Sequence, residues 1–310
     1  MTPYIGPTPY ILRREPFGLV MAAFFLATIP LIALEAVGAL PAGFRFVYFA
    51  VVAGSHFAAT LTIYFDPVNF AYFTRNWPFY VAAPVAILVA SGYVRFFLAS
   101  NESIVVGAVV LLGAHAIAQN HVNRQTFGVL QMMHAPNRQA LATRDVERVY
   151  LGVLTVLSVL SLSWGGRFNI YDPVTRAFSR CTDVRALRAS TLYFVVQSLS
   201  AGIAIYNVQF GLFALAIHHV EYHVLMHRRA FGGHTQHAVV SYSAFVMLLG
   251  FAIAWGAQTP TASTLVQTDA LWLRGAFDGL TLVHFFLEAL IWRFKDPHWK
   301  RTLAPLFNGG

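Results

Sequence analysis

Long apolar runs, separated by short polar connections, dominate the chain. A run of about 18 or more apolar residues is long enough to cross the hydrocarbon core of a bilayer as a helix. The first covers Phe17 to about Leu40, the second Phe44–Phe65, and the third Phe79–Leu98 with Arg95 near its end. A fourth starts near Ser103, turns polar after Ala118 and continues to about Met133. A shorter run covers Val149–Trp164 and a very long one Ser190–His227. The last two are Ala238–Ala257 and Ala270–Phe294, the latter followed by a basic tail. The pattern predicts an all-α fold: a polytopic integral membrane helix bundle of about eight transmembrane helices.

Two of these runs are irregular. Residues 149–164 are short for a span and suit a re-entrant segment. Residues 190–227 would form a helix about 57 Å long at 1.5 Å per residue, longer than a bilayer is thick. That helix must project into water, tilt or break, and Gly202 and Asn207 are the expected break points.

Charge gives the runs a direction, because basic loops stay on the cytoplasmic side. Eight crossings put Arg13–Arg14, Arg75, the Arg138–Arg148 loop, Arg228–Arg229 and the Lys295–Arg301 tail all inside. One loop runs against the rule: Arg167, Arg176, Arg180, Arg185 and Arg188 fall outside, unless the fifth segment is re-entrant. The expected organisation is one transmembrane domain over 1–310, with a cytoplasmic segment 1–16 and a basic tail 295–310. Both termini are expected in the cytoplasm of a plasma or inner-membrane protein. Three Asp-Pro pairs, at 66–67, 172–173 and 296–297, are helix-start signals, Asp capping and Pro opening the first turn.

Composition excludes several classes. Only 11% of residues are charged and 57% are hydrophobic, where a soluble surface needs about 25% charged residues. The net charge of +8 is scattered through short loops. That suits contact with anionic membrane lipid and argues against nucleic acid. The single cysteine, Cys181, rules out an intrachain disulfide, a four-cysteine metal site and a CxxC redox motif. No cleavable signal peptide is evident, since the first apolar run is too long for one.

The unusual chemistry is histidine within apolar runs. Polar side chains are costly in the hydrocarbon region and normally face the bundle interior with a partner. In HHVEYHVLMH, at 218–227, His219 and His223 lie four apart on one helix face, the spacing that lets two imidazoles clamp one metal. Glu221 lies off that stripe and reads as a solvent-side or second-layer group. In LVHFFLEALIWRF, at 282–294, His284 and Glu288 are also four apart. They suit either a mixed ligand pair or a carboxylate that orients the ring. In GAHAIAQNHVNRQ, at 113–125, His115 lies deeper, while His121 shares a stripe with Gln125 in a wetter stretch. At least one of them is expected as a ligand. His56 shares a stripe with Thr60 and Tyr64, and its claim depends on the others. With eight crossings these histidines all fall on even-numbered helices, in the cytoplasmic half of each.

The arrangement resembles two groups of membrane enzymes. The HxxxH spacing of His219 and His223, beside the pair His218–His219, resembles the di-iron superfamily of alkane hydroxylases, lipid desaturases and fatty-acid hydroxylases. The order of one early histidine, one mid-chain and then an HxxxH pair in FALAIHHVEYH resembles the Brp/Blh-type carotene-cleaving dioxygenases. There it implies a single iron on His56, His115 or His121, His219 and His223. Both resemblances imply a non-haem iron oxygenase, mono- or dinuclear, acting with O2 on a lipophilic substrate, with an electron-donor protein as a further partner. The expected ligands are His56, His115, His121, His219, His223 and His284, with Glu288 as a ligand or a catalytic group beside them. Two other classes share the same features: a haem-b electron-transfer protein, and a transporter or proton channel using titratable histidines.

Overall fold

The computed structural model describes residues 14–101, 113, 116–118, 120–122, 124–126, 128–129, 152–153, 156, 188–206, 210–231, 236–257, 268–292 and 296–303. Every element among them is helical. Among the described residues, four helices are long and apolar enough to cross a membrane: Phe17–Ala36, Gly43–Phe65, Pro78–Phe97 and Val240–Ala257. Most of the predicted short span 149–164, the Asp172–Pro173 start signal and the basic loop up to Arg185 lie outside the described residues. The chain divides into two compact units.

The first unit comprises Pro41–Leu111 and Leu225–Lys300, with Met1–Tyr4. Its first helix is not uniform. Helix α2 (Ala42–Tyr48) passes through a π-helical turn, Phe49–Gly54, into α3 (Ser55–Thr60) and ends in a 3₁₀ turn, Leu61–Phe65. Single π turns inside helices are frequent at functional sites. Here the turn leads straight into α3, whose residues Ser55 to Thr60, His56 among them, are all buried.

Asp66 then caps α4 (Pro67–Arg75), its Oδ1 accepting from the Val68 N–H at 3.0 Å, with Pro67 opening the helix. A second π turn, Pro78–Ala82, leads into α5 (Ala83–Asn101).

Small residues set the helix packing, as expected where backbones must approach closely between membrane helices. Helix α9 (Gln236–Ala257) crosses the π turn of the second span at Gly54 and Gly250. A Cβ on Gly250 would sit 2.5 Å from the Ala50 carbonyl oxygen and 2.7 Å from the Ser55 nitrogen. Helix α10 (Thr268–Ile291) lies on α5 in the same way, with Gly275 and Gly279 facing Ser91. The backbone at Gly250 cannot yield as a side chain can. Gly250→Ala is therefore expected to cost about 2 kcal/mol, within the usual range for overpacking. Gly113→Ala, which opens onto free space, should change little. Thermal melts of the two purified variants check the contrast.

Residues 296–303 of the basic tail are described. Helix α11 (Pro297–Leu303) is capped by Asp296, whose Oδ1 accepts from the His298 N–H at 2.8 Å. Trp299 is fully buried and donates to the Tyr80 hydroxyl at 2.9 Å. The His298 ring stacks flat on Tyr72 at 4.0 Å, and the Tyr72 hydroxyl donates to Asp296. Burial works to raise the Asp296 pKa. The hydrogen bonds from Tyr72 and from the backbone N–H groups of His298 and Trp299 outweigh it and hold the carboxyl below its ordinary range.

The second unit comprises Ile5–Leu40 and Leu112–Val224, with Arg301–Gly310. Helix α1 (Arg14–Ala36) ends on Gly38, whose φ of 68° is the left-handed conformation glycine adopts without strain. Gly38 N–H bonds the Glu35 carbonyl and Ala39 N–H the Leu34 carbonyl, the pairing of a Schellman cap.

The long sixth run does break. Helix α6 (Arg188–Tyr206) is followed by a short α7 (Gly211–Ala214) and then α8 (Ala216–Phe231). Asn207 lies outside the described residues; among them the interruption is the turn at Leu215, between α7 and α8, and Gly202 lies within the continuous α6. Helices α1, α6 and α7 pack together, with Phe17 against Tyr193 at 5.6 Å and Ser200 donating to the Ala214 carbonyl.

A candidate metal centre of buried histidines

In the first unit, His56 on α3 and His284 on α10 are both fully buried. Their rings meet edge to face with centroids 4.5 Å apart. Helix α10 turns Val283, His284, Leu287, Glu288 and Ile291 inward, the i, i+3, i+4, i+7 stripe of a helix facing a core. The two polar residues of that stripe are the ones with chemistry.

Thr60, one turn beyond His56, sets its Oγ1 2.5 Å from His284 Nδ1. Glu288 Oε1 lies 3.9 Å from the same nitrogen, and its Oε2 accepts from the Trp292 indole N–H at 3.0 Å. Phe57 packs against the His284 ring at 5.1 Å.

In the second unit, His121 lies among described helical positions 113–129 and is buried. Its ring meets that of His218 at 5.1 Å and 81°. The polar run after Ala118 is therefore not a wet end. Asn120 and Arg124 face outward, whereas His121, Gln125 and Thr126 are buried, so the helix is divided by face and not by depth.

Glu221 also departs from the solvent-side reading. It is completely buried, because α8 is buried on all sides over Ala216–Tyr222 except at Val220. Its Oε1 accepts from Gln125 Nε2 at 2.7 Å. Its Oε2 accepts from the Tyr193 hydroxyl at 2.6 Å and from Gln197 Nε2 at 2.7 Å. Oε1 lies 3.8 Å from His218 Nδ1.

His56, His121, His218 and His284 are a buried four-histidine group that could hold a metal ion. Within each unit the paired histidines offer ring nitrogens no more than 4.8 Å apart. The donor set suits a metal: neutral imidazole is a favoured ligand of iron, zinc, copper and nickel. Each pair has a buried carboxylate beside one ring, the outer layer that orients metal-binding histidines.

Three of the residues expected from the sequence, His56, His121 and His284, belong to this group. Glu288 lies beside it, next to His284. His219 is buried next to His218, with ring centroids 5.5 Å apart, and His223 is half-buried further along α8. His115 lies outside the described residues. The group has His218 where the i,i+4 spacing favoured His219 and His223. Glu221, three residues on from His218 and so on the same side of α8, is the one sequence signal that could have singled out His218. Comparison of the chain with protein-family models, curated proteins and solved structures finds no match in any of the three.

Proposed function

We propose that this chain is an integral membrane metalloenzyme that binds non-haem iron at the four histidines and uses O2 to oxidise a lipophilic substrate. The observation that carries the proposal is the all-nitrogen, cysteine-free group of four buried histidines with a carboxylate beside each pair. Charge supports it. Among the described residues Glu221 accepts from three neutral donors, Gln125, Tyr193 and Gln197. Two buried carboxylates would balance one divalent ion held by four neutral imidazoles.

Bound iron would supply the activation of O2. The protein's own part is to supply the four imidazoles, set Glu221 beside His218 and Glu288 beside His284, and keep water out with rings such as Phe57. In this reading the four apolar helices belong to about eight crossings, with both termini cytoplasmic. The substrate, a fatty acyl chain, terpenoid or carotenoid, reaches the site from the membrane, and an electron-donor protein completes any reaction that needs added electrons.

The haem-b reading is less well supported. Edge-to-face rings 4.5 and 5.1 Å apart leave no slot for a macrocycle within either pair. The test is purified full-length protein loaded anaerobically with Fe(II), then given O2 and a membrane lipid extract. O2 uptake with an oxidised lipid product by mass spectrometry is expected, and His121→Ala should lose at least about 95% of it. An intense Soret band in the protein as purified, or transport in liposomes by metal-free protein, would sink the proposal.

A further inference from the structure

Thr60 and His284 are both completely buried, and they come from different helices, α3 and α10. The Thr60 Oγ1 to His284 Nδ1 separation is 2.5 Å, a side-chain hydrogen bond between the two helices. A neutral imidazole has one N–H and one lone pair, and whichever nitrogen donates a hydrogen bond leaves the other free to bind metal. His56 and Thr60 are one helical turn apart, so a single turn of α3 would supply both a ligand and the group that sets the neighbouring ligand's orientation.

We infer that Thr60 is a positioning residue for the metal site: its hydroxyl oxygen accepts from His284 Nδ1–H, fixes that tautomer and leaves Nε2 as the ligand atom. This rests on the metal-site reading above and deepens it. It also gives Glu288 a place. Glu288 lies on the Nδ1 side of the ring, held by the Trp292 indole. That is the side away from a metal bound at Nε2, so Glu288 acts as an outer carboxylate and not as a ligand.

The experiment uses full-length protein in detergent and zinc as the probe. Zinc affinity is measured by chelator competition for wild type, Thr60→Val, Thr60→Ser and His284→Ala. Thr60→Val keeps the branched shape and removes the acceptor. It should weaken zinc binding about 10–100-fold, the usual cost of losing an outer-layer partner. Thr60→Ser keeps the hydroxyl and should stay within about threefold of wild type.

Thr60→Val binding as tightly as wild type while His284→Ala does not would overturn the role of Thr60 and leave the metal site standing. Thr60→Ser falling as far as Thr60→Val would also overturn it, because packing and not the hydroxyl would then be the cause. Wild type that takes up neither zinc nor Fe(II) would overturn the metal-site reading itself. Nitrogen NMR of histidine-labelled, zinc-loaded wild type reads the tautomer without any variant. His284 should carry its proton on Nδ1, and a proton on Nε2 contradicts the inference.

Discussion

Glu221→Ala is expected to destabilise the protein by about 3 kcal/mol or more. The carboxylate accepts from Gln125, Tyr193 and Gln197, all of them buried. Removing it leaves three donors without their acceptor, at about 1–3 kcal/mol for each group that finds no replacement. Water can rescue some of them, which is why the lower end of the sum is the expected figure. Glu221→Gln should cost less, because the amide oxygen still accepts while its NH2 group must face at least one donor. Thermal unfolding followed by intrinsic fluorescence, with the yield of monodisperse protein, reads both. Glu221→Ala within about 1 kcal/mol of wild type would mean that these hydrogen bonds do not hold the second unit together.

The second large effect is on metal retention. His121→Ala and His284→Ala remove one histidine from each unit, and each alone should lower metal affinity at least about a hundredfold, beyond the 10–100-fold of an outer-layer change. Equal losses from both sides are the signature of one shared ion. If each variant kept half of the wild-type metal, the two pairs would be separate sites and the proposed four-ligand centre would be wrong. His219→Ala and His223→Ala are informative companions. The four-histidine group requires that both keep most of their metal, whereas an HxxxH clamp requires that both lose it.

Much of the architecture was legible in hydrophobic run length alone. The spans at 17, 43, 78 and 240 begin within about three residues of the runs that predict them. This is because a bilayer-crossing helix leaves a strong one-dimensional signal. That the long sixth run is not one unbroken helix follows from its length, and the Asp66 and Asp296 caps follow from local chemistry that needs only two adjacent residues. The π turn at Phe49–Gly54 was not legible, because it depends on α9 approaching the backbone at Gly54 from far along the chain.

The site was legible in part for the same reason. His56, His121 and His284 stood out as polar residues in apolar helices. That His218 and not His219 joins the group follows the side of α8 that meets Gln125, Tyr193 and Gln197, contacts that i,i+4 spacing does not encode. Glu221 was read as a solvent-side or second-layer group because it lies off the His219 stripe, and its burial leaves the second of these. On a helix buried nearly all round, being off one stripe means being on another buried one.

The most direct test of the central claim is X-ray absorption at the metal edge of full-length protein reconstituted anaerobically with Fe(II). About one iron per chain is expected, with nearest neighbours all nitrogen or oxygen, the multiple-scattering pattern of about four imidazoles, and no sulfur. A porphyrin pattern, a sulfur shell, or iron bound with no imidazole scattering would contradict it.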